Sequence, residues 1–245
     1  MQTELSPIDV STIQERVYQS LRLALLKGQF LPGEQVSIRT LATALGTSPM
    51  PVREAVKRLV AEKAFEQSSD RLLRVASYVA DVHEEYIRIR IQLETFATER
   101  ACIAATPELL DALSGHNAAM RKALRAGDFE AALATNQAFH FAIYGAAGYP
   151  QLLDIISSLW LRTGPILAVA RSETDLFRRL FESGCEVHVR AIDALARRDR
   201  KQASRAIALD IRSSHLGIRR HLKQEGFGQP GGAASKLRRQ PALAK

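Results

Sequence analysis

The stretch Ile38-Arg-Thr-Leu-Ala42-Thr-Ala-Leu-Gly46-Thr-Ser-Pro-Met-Pro-Val52-Arg53-Glu-Ala-Val56-Lys-Arg-Leu59 decides the fold of the first third of this chain. Ala42 stands four residues before Gly46, and a helix-turn-helix needs a small residue there so that its second helix can cross closely. Gly46 supplies the tight turn, because glycine accepts a positive φ at little cost. Ser48 is placed to cap the next helix by accepting from the Met50 N–H. Pro49 and Pro51 fall in that helix's first turn, where backbone N–H groups lack helical partners anyway. Val52, Val56, Leu59 and Val60 form one apolar face, expected to be buried. Arg53, Lys57 and Arg58 lie off it, free to reach a DNA groove or phosphates. Singly, these pieces also have plain readings: Ala-x-x-x-Gly is common in helical hairpins, and Arg53-Glu54 reads equally as a solvated ion pair of little worth. Together they describe a DNA reader.

Outward from this stretch the helical period continues. Residues 9–27 read as an amphipathic helix through Ile13, Val17, Leu21, Ala24 and Leu25, broken by a Pro32-Gly33 turn. Helices are expected over 38–45 and 49–63, then a short hairpin from Phe65 to Val75 and a linker at Ala76-Ser77-Tyr78. Beyond it, breaks at Thr106-Pro107, Gly127-Asp128, Gly148-Tyr-Pro150, around Gly164-Pro165, and at Asp199 divide the chain into helices of roughly 82–105, 107–126, 128–147, 150–169, 173–198 and 200–224. Residues 226–245, rich in Gly, Pro, Ala and basic side chains, are expected to be a disordered tail. The predicted fold is mostly α. A winged helix-turn-helix with a small β wing (9–76) precedes an all-α antiparallel bundle of about six helices (80–225) and a basic tail (226–245).

Composition narrows the class. Apolar residues are 46% and charged residues 24%, ordinary for a soluble domain. No apolar run approaches the roughly 18–20 residues that span a bilayer, and the polar N-terminus has no signal-peptide pattern. A cytoplasmic protein with no membrane partner is expected. Cys102 and Cys185, far apart and in no metal or redox spacing, are expected to be reduced thiols. The net charge is +8, but residues 219–245 carry seven basic side chains and one acidic one, while residues 1–78 carry ten and eight. The basic excess is therefore no argument for a DNA reader at the N-terminus. The tail's Lys236-Leu-Arg238-Arg239 reads either as nonspecific phosphate attraction or as a solubilising run.

Leu26-x-Gly28, Leu31-Pro32-Gly33-Glu34, Leu41-Ala42-x-x-Leu45-Gly46 and Pro51-Val52-Arg53-Glu54-Ala55-Val56-x-x-Leu59 resemble the GntR family of transcription regulators, densely over residues 13–75. The resemblance implies DNA contacts from Arg39, Ser48, Pro49, Met50 and Arg53, and from a wing around Ser69, Asp70 and Arg71. Lys57 joins them from its position off the apolar face. Arg39 and Arg53 are the foremost, since an arginine fork binds guanine O6/N7 or a phosphate. The chain departs from the family at Pro49-Met50, where Arg-Thr is frequent, and at Leu72, where the wing usually has glycine after arginine.

The second half resembles the all-helical ligand-sensing (FCD-type) domain of the FadR-like branch. The matching residues are Arg90-x-x-Leu93-Glu94, Asn136-x-x-x-His140, Glu186-x-His188-x-x-x-Ile192-x-x-Ala194-Leu195 and Asp199. In many members an Asp-x-x-x-His pair and two later histidines bind a divalent metal that helps hold a small carboxylate. Here the set implied is Asn136, His140, His188 and Asp210, with asparagine at the usual aspartate and aspartate at the usual third histidine. Two imidazoles and one carboxylate suit Zn, Mn or Ni. A metal-free polar pocket is the other reading, and His215 is a substitute ligand should the register shift. Arg90 reads as a clamp for a ligand carboxylate if it points into the bundle, or as a surface partner of Glu94. Trp160 reads as core that lines the pocket, with Arg162 and Arg171 in or after the same helix. His83, His116 and His221 fit no cluster and are expected to be solvated.

The function expected is a homodimeric regulator that binds a double-stranded DNA operator under control of a small-molecule effector of the organic acid class. Two other classes are weighed. A metal-dependent enzyme lacks any Ser/His/Asp arrangement, phosphate loop or His-Glu-x-x-His motif to support it. A ligand-independent architectural DNA-binding protein would bind its operator indifferently to every small molecule.

Overall fold

The first helix starts where Thr12 accepts from the Glu15 N–H at 3.2 Å. The computed structural model describes residues 12–67, 72–172 and 174–224. Helix α1 (Ile13–Leu26) buries Val17, Tyr18, Leu21, Leu25 and Leu26. Ile13, expected on that face, is 62% exposed: at the first position of the helix no element among the described residues covers it. Gly28 and Gly33, at φ 60° and 73°, carry the chain through the turn that follows. Strand β1 (Gln35–Val36) precedes α2 (Ile38–Ala44), which is capped by the Ser37 hydroxyl. Gly46 has φ 60°, and the Thr47 N–H returns to the Ala42 carbonyl at 3.0 Å, closing the turn anticipated there. Helix α3 (Pro49–Ala61) buries Val52, Ala55, Val56 and Leu59; Val60 is only half-buried and Ala55 takes its place on the core face.

Two features of α3 differ from expectation. Ser48 is the N-cap residue, but its side chain makes no cap hydrogen bond. A cap oxygen reaches the second or third helical N–H, and the third helical residue, Pro51, has none, so the exposed hydroxyl stays on the surface. Arg58 faces the protein rather than a groove. Its guanidinium lies 3.6 Å over the Tyr18 ring and pairs with Glu15 at 2.8 Å, which ties α3 to α1.

Strands β2 (Phe65–Gln67) and β3 (Leu73–Val75) form the hairpin, and β3 also pairs with β1, giving the antiparallel order β1-β3-β2. The register sets Val36 opposite Leu73 and Phe65 opposite Val75, so Phe65, Leu73 and Val75 turn into the core. Ser69, Asp70 and Arg71, expected to form the wing's DNA contacts, lie outside the described residues, as do residues 225–245 with the tail. The linker is bound down: the Ala76 N–H bonds the Ala64 carbonyl and the Ser77 N–H bonds Glu66.

Six helices follow among the described residues: α4 (Ala80–Ile103), α5 (Pro107–Ala126), α6 (Phe129–Ala146), α7 (Pro150–Ser172), α8 (Thr174–Ala196) and α9 (Arg200–Gln224). The breaks between them use the local chemistry their residues offer. Thr106 accepts from the Leu109 N–H, with Pro107 at the first helical position. Gly127 takes φ 70° in the left-handed region, and Asp128 caps α6 from the Ala131 N–H. Asp199 caps α9 from the Gln202 N–H. The expected break at Gly164-Pro165 does not occur. α7 runs through it, because Leu161, Ile166, Val169 and Ala170 are buried on both sides of the proline and their burial outweighs the lost bond. At Gly164 a Cβ would stand 2.9 Å from the Leu25 carbonyl oxygen, so glycine lets α7 lie directly on the end of α1. Around this contact Lys27 pairs with Glu130 at 2.9 Å, Arg22 bonds Ser157, and Arg162 donates to the Glu62 carbonyl at 3.1 Å. Arg171 lies at the end of α7, where side chains are outside the described set. Core residues of the head and of α4, α6, α8 and α9 form one continuous cluster. Each large side chain in it contributes roughly 1.5–3 kcal/mol of burial.

Candidate DNA interface and buried polar pocket

The outer face of the helix-turn-helix presents Arg39, Ser48, Pro49, Met50, Arg53 and Lys57, all exposed, with Met50 at 65%. Arg39 and Arg53 have no ion-pair or hydrogen-bond partner among the described residues, so their forks are open. Lys57 pairs with Glu54 at 2.7 Å; both are exposed and the pair is weak, so Lys57 remains able to turn to a phosphate. Glu54 thus pairs with Lys57 rather than with Arg53.

The bundle encloses a pocket lined by Arg90 and Ile87 of α4, Asn136 and His140 of α6, Trp160 and Thr163 of α7, and Asp210 of α9. Behind its lining residues Arg90 and Trp160 stands Glu94, fully buried on α4. Glu94 accepts from Arg90 Nε at 2.6 Å, from Trp160 Nε1 at 3.0 Å and from the Tyr144 hydroxyl. Arg90 points into the bundle and pairs with Glu94 there, so the reading of it as a surface partner of Glu94 is wrong: Glu94 is fully buried and the Arg90 side chain, set against α7, is only 12% exposed. Its guanidinium lies 4.5 Å over the Trp160 ring and donates to Thr163 at 3.1 Å. Of its five N–H bonds, three are engaged, which leaves two for a ligand. Burial raises the Tyr144 phenol, and the Glu94 charge adds to it, so this hydroxyl holds its proton as a donor to Glu94.

That donation orders the next residue. With its own proton directed at Glu94, the Tyr144 oxygen is left to accept from His140 Nδ1 at 3.1 Å, and His140 Nε2 faces Asp210 Oδ2 at 3.1 Å. A ring nitrogen opposite a carboxylate oxygen needs a proton or a cation between them. Burial alone would raise Asp210; the hydrogen bond from His140 and the charges of His140 and Arg90 outweigh it and hold the carboxyl below its ordinary value. His188 stands behind the pair, stacked on Phe139 with centroids 3.8 Å apart, its Nε2 4.0 Å from the same oxygen. It is fully buried, and burial pushes its pKa down to about 3, so the ring is neutral. Neither of its nitrogens has a hydrogen-bond partner.

His140, His188 and Asp210 each offer a ligand atom, and these lie within 4.8 Å of one another. A neutral, unpartnered imidazole beside a carboxylate is the donor set a divalent cation takes. Asn136 lines the same pocket one helical turn from His140 but is only half-buried. His215 does not join this group; its Nε2 is bonded to Glu84 at 2.7 Å. His83, expected in solvent, is 6% exposed and lines the pocket beside His215, because the first turns of α4 lie against α9. His116 and His221 are half-buried rather than solvated. The sequence reading missed Glu94 and Tyr144 as parts of the site. For Tyr144 the signal was present: Asn136, His140 and Tyr144 succeed one another at i, i+4 and i+8 on one face of α6.

A profile described as "Bacterial regulatory proteins, gntR family" matches residues 13–69, and a profile of the FCD domain matches residues 85–222. The HTH-type transcriptional regulator McbR of Escherichia coli (strain K12) is 33% identical over 150 residues, 61% of this chain and 68% of that protein. The probable D-xylose utilization operon transcriptional repressor of Paenarthrobacter nicotinovorans is 27% identical over 80% of this chain and 84% of its own length. The solved structure of E. coli McbR/YncC superposes with a TM-score of 0.80 at 27% identity, covering 86% of this chain and 99% of that one.

Proposed function

The chain belongs to the GntR family of bacterial regulatory proteins, with an FCD domain as its second half, and from that membership we propose how this DNA-binding transcription regulator is controlled. A small carboxylate-bearing metabolite enters the bundle pocket. Its carboxylate is met by the two spare N–H bonds of Arg90 and by a divalent metal, Zn, Mn or Ni, held by His140, His188 and Asp210 with Asn136 alongside. Bound there, the metal supplies a positive centre that polarises and orients an anionic ligand. The protein's own residues do the rest. Tyr144 fixes the His140 ring, Glu94 holds Arg90 in place, and Trp160 closes the wall. The observation that carries the reading is the neutral, unpartnered His188 behind Asp210, whose carboxylate lines, with His140, a pocket shared with Arg90.

The same pocket touches the head. Leu26, the last residue of α1, is part of its wall, next to Gly164. An effector that fits better with one setting of α1 biases the head toward that setting, which is all that control of operator affinity requires. The relatives are named as transcriptional regulators and not as enzymes.

Elemental analysis of the purified protein tests the metal. The expected result is about one divalent ion per chain, lost in His188→Ala. Chelation is expected to weaken the operator response to organic acids. A metal-free protein whose response survives both His140→Ala and His188→Ala would replace the metal site with a plain polar pocket. An operator complex indifferent to every organic acid would make the chain an architectural protein instead.

Homodimerisation belongs to the same proposal. On α4, Val82, Ile89, Phe96 and Ile103 are 38–48% exposed at a strict seven-residue spacing, and Tyr149 extends the patch by stacking on Phe96 at 5.9 Å. An apolar seam at this period suits the same helix of a second copy. The double variant Ile89→Glu/Phe96→Glu is expected to sediment as a monomer with an unchanged helical spectrum, the dimer weakened roughly tenfold or more per substitution. A variant that stays dimeric would move the interface elsewhere.

A further inference from the structure

The pocket has a second polar end. His83, Ile87 and Arg90 follow at i, i+4 and i+7 on α4 and all line the pocket, which sets His83 about 10 Å from Arg90 along the helix axis. On α9, His215 lies five residues beyond Asp210, about 7–8 Å further along, and lines the same space. The His83 and His215 rings stack with centroids 5.1 Å apart at 30°. Both are more than nine-tenths buried, at 6% and 4% exposure. Ile87 on α4 and Ile211 on α9 fall between the two ends, and with Phe181 they make the wall there apolar.

His215 is held from outside. Its Nε2 lies 2.7 Å from Glu84 Oε2, and a carboxylate only accepts, so that nitrogen carries a proton. Arg88 and Arg219 each fix Glu84 at 3.2 Å. His83 Nδ1 and His215 Nδ1 are buried without any hydrogen-bond partner. Burial first, and then the charges of His215 and Arg90, push His83 down to about 3, so its ring is uncharged. Leaving two buried nitrogens unpaired is costly unless something fills them, and no step of the carboxylate reading uses either.

We infer that the His83–His215 pair is a second subsite, which takes the hydroxyl of a short ω-hydroxy carboxylic acid whose carboxylate lies at the Arg90 end. The inference rests on the carboxylate reading above and adds to it the chemistry of the far end. A hydroxyl both donates and accepts. It can give its proton to one ring nitrogen and accept from the other, which satisfies both orphans at once. A second carboxylate fits worse, because it would face an uncharged imidazole with the Glu84 charge just behind.

Calorimetry of the full chain with three probes, 5-hydroxypentanoate, pentanoate and pentanedioate, tests this. The hydroxy acid is expected to bind up to about tenfold tighter than pentanoate, the worth of a hydrogen bond at a site that leaves its groups unpaired otherwise. In His83→Phe, which keeps the ring stack, that advantage disappears while pentanoate affinity stays unchanged. Equal binding of hydroxy acid and pentanoate by the wild-type protein needs no variant to interpret and overturns the subsite while leaving the carboxylate site standing. Tightest binding by pentanedioate overturns the hydroxyl assignment in favour of an anion. Binding of none of the three overturns the carboxylate site and the subsite together.

Discussion

Glu94→Leu is expected to destabilise the fold by about 3–5 kcal/mol, the range for breaking a buried charge pair by removing one partner. Glu94 has no exposed surface, and it is the acceptor for Arg90, Tyr144 and Trp160 together. Removing it leaves the Arg90 guanidinium, whose side chain is 12% exposed, without an opposing charge. It also leaves the Trp160 N–H unpaired and frees the Tyr144 hydroxyl to turn away from His140. The size of the loss comes mainly from the stranded cation, and a second variant separates that cause from packing. Arg90→Met/Glu94→Leu removes both charges at similar volume and is expected to recover most of the stability. Urea denaturation reads both, as a shift in midpoint at unchanged slope. A Glu94→Leu midpoint within about 1 kcal/mol of wild type would mean that water already reaches Arg90. The double variant serves a further purpose. It should fold yet lose the effector response, since the proposed carboxylate takes the spare donors of Arg90.

What the sequence made legible was local. Thr106-Pro107, Gly127-Asp128 and Asp199 mark helix ends through the groups they offer to neighbouring N–H bonds, and Gly46 marks its turn through the sign of its φ. The set His140, His188 and Asp210 was legible only by resemblance, since three helices contribute it. What stayed hidden depends on partners far along the chain. Strand β1 is two residues long and exists because β3 pairs with it. Pro165 signals a helix end, yet tertiary burial on both sides carries α7 through. Arg58 looks free on a helix wheel until Tyr18 and Glu15 of α1 are set against it. His83 and Glu84 are adjacent, and alternation alone cannot tell that one lies buried against His215 while the other holds that histidine from outside.

Arg53→Ala is expected to weaken operator binding by roughly 30-fold to 10⁴-fold. One good arginine fork on a base contributes about 1–3 kcal/mol. In a homodimer reading two half-sites each substitution counts twice, which makes about 2–6 kcal/mol, roughly 30-fold to 10⁴-fold. The composition of the head raises this dependence. Residues 1–78 carry ten basic and eight acidic side chains, and of the basic ones on or beside the reading helix, Arg58 is bound to Glu15 and Tyr18 while Lys57 is shared with Glu54. Little diffuse attraction remains to compensate for a lost fork, and Met50 beside it offers only apolar contact. Salt dependence then says what Arg53 touches. A base contact leaves the slope of affinity against salt unchanged and relaxes the preference for operator over unrelated DNA. A phosphate contact lowers the slope by about one per half-site and weakens both DNAs alike. Arg58→Ala is the control, since it should cost stability by loosening α3 from α1 while leaving the operator preference intact. Wild-type affinity in Arg53→Ala at every salt concentration would remove α3 from the role of reader.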